Sequence, residues 1–297
     1  KKIPMTSRET SDVIMMAMGA YTPLSGFMGK ADWQGCCEEM KLSDGLFWPI
    51  PVTLSADKEL ADGIDMEEEV ALVDGDSGKI PRRWLDALAD DVAAMCGRGQ
   101  EVVIVSSGAI ALGRRRLGQN SVGQNSAAQN SGRRLKLEES QAAAACGQIR
   151  LAHAYEETLA RHDLVAAQVL ITLGDTEERR RYLNARTTID TLLRLGAVPV
   201  INQNDTVATM EIRFGDNDVL SALLASLCKA DLLILLSTAE GLVDREGGGK
   251  VLSFVEEITP EIEAMAGGSE SPTSVGGMIT KLEAAKISAK SGCACFV

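Results

Sequence analysis

Histidine is almost missing from this chain, with His153 and His162 its only imidazoles. No zinc set can be assembled from them, because Cys293-x-Cys295 has no second ligand pair at a suitable spacing. Basic residues are also in deficit, 30 against 42 acidic, for a formal charge of −12. Nothing resembles a basic stripe, so a nucleic-acid partner held through its phosphates is not expected. Long apolar runs are absent: none reaches the ~18 residues of a membrane span, and no secretory apolar segment opens the chain. Lys1-Lys2-Ile3-Pro4 reads as an interior start, and no membrane partner is expected. The seven cysteines are odd in number and irregularly spaced, most of them in apolar contexts. They suit buried, reduced thiols rather than a disulfide framework. What remains is an ordinary soluble composition, 45% apolar and 24% charged over 297 residues. It points to a cytoplasmic enzyme or binding protein with room for two domains.

The composition changes near Ile80-Pro81. Residues 1–80 hold seven basic and fifteen acidic residues and two of the three tryptophans, whereas residues 81–297 are rich in Ala and Leu. In the first part, residues 9–18 predict a short helix, with Thr6 or Ser7 as cap and Val13, Ile14, Ala17 and Met18 on one face. Turns follow at Thr22-Pro23-Leu24-Ser25-Gly26 and Ser43-Asp44-Gly45, with strands expected over 48–54 and 69–73. Cys36-Cys37 reads as packing thiols. This is a small α+β module, expected to form a separate lobe.

The second part alternates strands and helices. Leu85, Leu88, Val92 and Met95 mark a helix over 84–95, stopped by Gly97-Arg98-Gly99. Strands are predicted over 101–105, 165–171, 197–201, 231–236 and 294–297. Helices are predicted to begin near Ser107-Gly108 and to cover 137–161, 177–195, 219–227 and 277–291. Gln-Asn-Ser recurs with a period of five over 119–131, without apolar periodicity, as expected of a solvated loop. Repeated βα units imply an α/β fold with a mostly parallel sheet and helices on both faces.

In such folds ligands collect beyond the carboxyl ends of the strands. Ser106-Ser107-Gly108-Ala109 follows one strand and suits an anion or carboxylate cradle, although a plain serine cap explains it equally. Asn202-Gln203-Asn204-Asp205 and Arg213-Phe214-Gly215-Asp216-Asn217-Asp218 put eight polar side chains within seventeen residues. Asp216 or Asn217 can cap the next helix, and the others suit an ammonium group or magnesium. Ser237-Thr238 stands where a nucleotide could lie. Gly276-Gly277, read as opening a helix with Lys281 in its first turn, has the parts of a phosphate cradle.

Val105-Ser106-Ser107-Gly108-Ala109, the stretch 135–151, Arg181-Tyr182-Leu183-Asn184-Ala185-Arg186, Asn202–Asp205, Phe214–Asp218 and Gly276–Lys281 occur in the order found in the glutamate 5-kinases. Residues 81–297 thus resemble that branch of the amino acid kinases, with its αβα sandwich. The resemblance implies a transferase that moves the γ-phosphoryl of ATP to the side-chain carboxylate of L-glutamate, with magnesium, in proline biosynthesis. It carries glutamate binding to Ser107, Asp205 and Asn217, and ATP binding to Ser237, Thr238, Val275, Gly276, Gly277, Met278, Ile279, Thr280 and Lys281. Catalytic roles fall to Lys281 and Asp205, no protein metal ligand is implied, and a homo-oligomer is expected. Ser107, Asp205 and Asn217 should line one pocket.

Residues 1–80 resemble a different family. Met5-Thr6-Ser7-Arg8-Glu9-Thr10, Gly19-Ala20-Tyr21-Thr22-Pro23-Leu24-Ser25-Gly26-Phe27 and Phe47-Trp48-Pro49-Ile50-Pro51 are similar to the PUA-like N-terminal module of ATP sulfurylase (sulfate adenylyltransferase). The histidine-bearing loop which that chemistry needs is absent. The kinase-like part also departs from its family. It enters at Pro81 without the opening strand and its Lys-x-Gly-Ser-Ser loop, and it stops at Val297, inside a strand the family continues past. Gln203 stands for a glutamate and Thr238 for an aspartate. Residues 70–79 offer a substitute strand and glycine turn, with Asp74 and Asp76 unfavourable beside phosphate. Glutamate-dependent turnover is therefore expected below that of an intact member. The alternatives are a non-catalytic chimeric binder of glutamate or nucleotide, and a sulfate adenylyltransferase-related module.

Overall fold

The structure is a computed structural model that describes residues 13–18, 82–117, 136–207, 216–236, 241–244, 248–266 and 272–297. The expected strands over 48–54 and 69–73, the Gln-Asn-Ser tract and Ser237-Thr238 lie outside the described residues.

Six parallel strands form one sheet in the order β3-β4-β2-β1-β5-β8. They are β1 (Val13–Met18), β2 (Glu101–Val105), β3 (Val165–Ile171), β4 (Ala197–Gln203), β5 (Leu232–Leu236) and β8 (Ala294–Phe296). A two-residue antiparallel pair, β6 (Val243–Asp244) and β7 (Lys250–Val251), stands apart. The helices are α1 (Arg82–Gly97), α2 (Ala109–Arg116), α3 (Leu137–Leu159), α4 (Leu173–Glu177), α5 (Arg179–Arg194), α6 (Asp216–Cys228), α7 (Pro260–Ala266) and α8 (Pro272–Lys290). A 3-10 turn, Ala160–His162, prolongs α3.

The helix expected over residues 9–18 is corrected by a strand, Val13–Met18, at an interior position of the sheet. Four of the six residues also fit one helical face, but Met15 and Met16 are as apolar as the rest. An unbroken apolar run suits a strand buried on both faces. Ile14 to Ala17 pair with Val102 to Val105 of β2, and Ile14 to Met18 with Leu232 to Leu236 of β5. Asp231 fixes the start: its carboxylate accepts the Val13 N–H at 2.8 Å and its own N–H donates to the Val13 carbonyl at 2.9 Å. The separate lobe expected for residues 1–80 therefore does not hold for residues 13–18. The slot expected to be vacant, or to be filled by residues 70–79, is occupied by them.

Alternation along β1 divides the core into two layers. Ile14 and Met16 pack with Leu85, Leu88 and Val92 of α1, Leu112 of α2 and Leu151, Tyr155 and Leu159 of α3. Val13, Met15 and Ala17 pack with Ile189 and Leu193 of α5, Leu220, Leu224 and Leu227 of α6 and Ala284 of α8. Helices thus cover both faces, as the βα repetition predicts. The helix expected over 177–195 is broken at Glu178, whose extended backbone separates α4 from α5.

Two contacts lock α3. Where it crosses α2, a Cβ on Gly147 would lie 1.8 Å from the Ala109 carbonyl oxygen, and one on Gly113 1.7 Å from that of Ala143. Arg82 and Asp86 of α1, one helical turn apart, form ion pairs with Glu157 and Arg161 at 2.8 and 2.7 Å, and Asp90, a turn further, lies 3.1 Å from His162 Nε2. The pairs are exposed and worth little individually. Gly147→Ala should force this crossing apart and cost at least 1–3 kcal/mol, seen as a fall in the denaturation midpoint. An unchanged midpoint would contradict the close approach.

Asp91 of α1 is buried, and that burial, with repulsion from Asp90, pushes its carboxyl up to about 7 against the pull of Arg98. An acid with a raised native pKa binds protons more tightly when folded. Its cost is absent below the unfolded value near 4, grows as the pH rises, and is complete above about 7. Asp91→Asn should leave stability at pH 4 nearly unchanged and raise it at pH 8 by about 2–4 kcal/mol. Denaturant titrations at the two pH values check this.

Candidate active site

The register brings the carboxyl ends of β2, β1 and β5 level, with Val105 beside Ala17 and Ala17 beside Leu235. On the other side Val105 is level with Ile201 of β4. The turns leaving β2 and β4 therefore emerge next to each other.

Ser106 is fully buried. Its N–H donates to the Ile201 carbonyl at 2.8 Å, its Oγ donates to the Tyr155 hydroxyl at 3.0 Å, and its carbonyl accepts the Asn217 Nδ2 at 3.2 Å. Ser107 is half-buried and precedes Gly108, whose φ of 93° turns the chain into α2. The two hydroxyls thus divide their duties: Ser106 builds the turn, and Ser107 stands at the mouth of the helix. The simple serine-cap explanation does not cover Ser106.

At the end of β4, the Asn202 Nδ2 donates to Gln148 Oε1 of α3 at 2.8 Å, while its Oδ1 accepts the Gln203 N–H. Asn204 donates its N–H to the Ile171 carbonyl at 2.9 Å. Asp205 follows, buried, at the start of the 3-10 turn Asp205–Val207. α6 begins at Asp216, with Asn217 in its first turn. The Asn217 amide reaches across to Ser106. Its Oδ1 is buried and has no hydrogen-bond partner among the described residues. A buried acceptor left open in this way marks a place where a donor is wanted. Ser107, Asp205 and Asn217 therefore lie along one edge of the sheet, and the Ser106–Asn217 bond joins two of the segments directly.

Lys281 and Asp218 form a buried ion pair. The Lys281 Nζ donates to Asp218 Oδ2 at 2.9 Å with both side chains 7% exposed, and Thr280 Oγ1 donates to the same oxygen at 2.9 Å. The Lys281 charge is thus held in place by a carboxylate. The helix expected over 277–291 starts earlier: α8 begins at Pro272, so Gly276-Gly277 lie in its second turn and Lys281 further inside. Proline suits a first helical position, since its missing N–H is not needed there. Val275 and Gly276 belong to α8, Met278 is half-buried against Leu242, Ala266 and Leu282, and Ile279 is 45% exposed.

Burial, with the charges of Cys293 and Asp218, pushes the Cys295 thiol up to about 12, so it offers no nucleophile near Lys281. No group of three or more His, Cys, Asp or Glu side chains suited to a metal occurs among the described residues. None of their helices is long and apolar enough to cross a membrane. Two residues of this edge escape a reading by sequence: Tyr155 and Gln148 look like ordinary members of a helical stripe. Asp218 is among the polar residues read for an ammonium group or magnesium, and it is paired with Lys281 instead.

Residues 70–297 match the model of the amino acid kinase family, and residues 1–81 match that of a PUA-like domain. The chain is 56% identical over 232 residues to the glutamate 5-kinase of Allorhizobium ampelinum, covering 76% of this chain and 56% of that one. With the glutamate 5-kinase of Paramagnetospirillum magneticum it shares 54% identity over 226 residues, 75% of this chain and 58% of the relative. The chain thus spans a little over half the length of the curated relatives it matches. Among solved structures, a carbamate kinase from Giardia lamblia bound to AMP-PNP superposes with a TM-score of 0.50 at 14% identity, over 95% of this chain and 90% of that one. That likeness carries the fold alone. With a family match over most of its length and a parallel sheet covered on both faces, the chain belongs to the amino acid kinase family.

Proposed function

We propose that this chain transfers the γ-phosphoryl group of ATP to the side-chain carboxylate of L-glutamate, a step of proline synthesis in the cytoplasm. One observation carries the reading: the stretch matched to the family contains the turns that set Ser107, Asp205 and Asn217 along one sheet edge, and relatives 54% and 56% identical are glutamate 5-kinases.

The chemistry asks little of the protein beyond placement. A glutamate side chain, with an ordinary pKa near 4.3, is already ionised and needs no general base. One of its oxygens forms a bond to the γ-phosphorus while the bond to the β,γ-bridging oxygen breaks. ADP leaves with that electron pair, and an acyl phosphate results. The transition state is loose and its charge lies on the phosphoryl oxygens, so positioning and charge stabilisation dominate. The Asp205 carboxylate and the open Asn217 Oδ1 are acceptors suited to the α-ammonium group of glutamate. The Ser107 hydroxyl, at the start of α2, suits a carboxylate. Ser237, Thr238 and residues 275–281 are assigned to ATP, with Lys281 meeting the transferring phosphoryl and Asp218 holding its ammonium ready. Magnesium, arriving with ATP, would supply neutralisation of phosphate charge, and no residue of this chain is assigned to it. Among the described residues β3 is an edge strand of the sheet, with Val165 65% exposed, and the proposal includes self-association, to which such an edge is suited.

A weak version of this activity is favoured by one feature. The strand Val13–Met18 and the Gly19-Ala20 that follow it in sequence lack the lysine of the family's phosphate loop. ADP release driven by L-glutamate should run well below a typical ~10 s⁻¹, while calorimetry still detects glutamate binding. Lys281→Met should lower the remaining turnover by a further ~10²–10³-fold and leave glutamate affinity within about twofold, because it acts on charge that develops in the transition state. Absence of both glutamate binding and glutamate-dependent ADP release would reject the proposal. Turnover indifferent to Lys281→Met would reject the role given to that residue.

A further inference from the structure

We propose that Tyr155 and Gln148, seven residues apart on α3, are positioning residues that hold the turns 106–108 and 202–205 as the two walls of the amino-acid pocket. The proposal rests on reading this edge as the glutamate side.

Strand pairing carries the two walls only as far as the Ser106 N–H bonded to Ile201. Beyond that rung β2 ends, while β4 stays paired with β3 as far as Gln203 before it turns away, and α3 meets each of the two chains with one polar side chain. The Tyr155 hydroxyl accepts from Ser106 Oγ at 3.0 Å, and Gln148 Oε1 accepts from Asn202 Nδ2 at 2.8 Å. Residues seven apart fall on the same helical face, two turns apart. Tyr155 is 1% exposed among Leu151, Leu159 and Ile104. Packing there asks only for a phenyl ring, and a hydroxyl in such a place must be satisfied to avoid a desolvation cost. Burial drives its pKa up against the effect of the Ser106 bond, so the group is a neutral hydroxyl throughout the physiological range. The Ser106 peptide in turn holds the Asn217 amide. Its carbonyl takes Nδ2, which leaves Oδ1 as the open acceptor. A tilt of the Ser106 turn therefore rotates the group assigned to the ammonium of glutamate. The platform is stiff, since α3 is packed backbone to backbone against α2 at Gly147 and Gly113. Such stiffness is what a supporting residue needs.

The test uses the full chain and four measurements: glutamate affinity, ATP affinity, thermal midpoint and amide hydrogen exchange. Tyr155→Phe and Gln148→Leu should each weaken glutamate by about tenfold, roughly one hydrogen bond, and leave ATP affinity within twofold. Gln148→Glu keeps an acceptor oxygen and should retain glutamate affinity. Exchange should quicken at residues 106–108 and 204–205 in the two damaging variants, and not along α3 or the paired stretches of the strands. This arm needs no ligand, so it decides the positioning role even if the wild-type chain binds no glutamate, a result that would sink only the proposed function. Equal weakening of both ligands with exchange raised throughout the domain, or no change at the two turns, would overturn the inference.

Discussion

The sheet depends on one insertion, six apolar residues hydrogen-bonded on both sides between β2 and β5. Remove Val13–Met18 and two rows of backbone donors and acceptors lose their partners at once, in an interior where water cannot replace them. The same strand feeds both layers of the core, Ile14 and Met16 to one and Val13, Met15 and Ala17 to the other. It also sets the spacing between the turn after β2 and the end of β5. The substrate edge and the nucleotide edge of the proposed site therefore keep their separation because this strand keeps its place.

The polar chemistry follows from that frame. Charges buried at the sheet edge cost several kcal/mol each unless they are paired, and Lys281 finds Asp218, with Thr280 completing the acceptor. The pairing holds the ammonium in one position and tempers its field, which suits a group that must meet charge as it develops. Uncharged amides and hydroxyls do the rest of the positioning. Ser106, Asn202 and Asn217 are each tied to a neighbouring element, and one acceptor, the Asn217 Oδ1, stays open.

Much of this was legible in the residues. Alternating βα periodicity predicts the parallel sheet and both helical layers, and turn composition marks the polar segments after β2 and β4, from which the family resemblance selects Ser107, Asp205 and Asn217. The misreadings have physical causes. Residues 13–18 satisfy a helical face as well as a buried strand, and a six-residue apolar run cannot choose between them without its neighbours. Gly276-Gly277 looked like a helix start because glycine pairs often break helices, whereas Pro272 supplies the actual start four residues earlier. Asp218 is legible as a carboxylate for an ammonium group or magnesium, but its partner is not, since only the fold brings Lys281 to within 2.9 Å of it. Tyr155 carried no signal, because a buried tyrosine on an apolar stripe is ordinary until its hydroxyl is seen to reach another segment.

The central claim is that Val13–Met18 is an interior strand of the kinase sheet, and amide hydrogen exchange on the intact chain tests it most directly. The account predicts that the amides of residues 14–17 exchange as slowly as those of Val103, Ile104, Leu233 and Ile234, through opening of the whole domain. Fast exchange at residues 14–17, with β2 and β5 still protected, would contradict it.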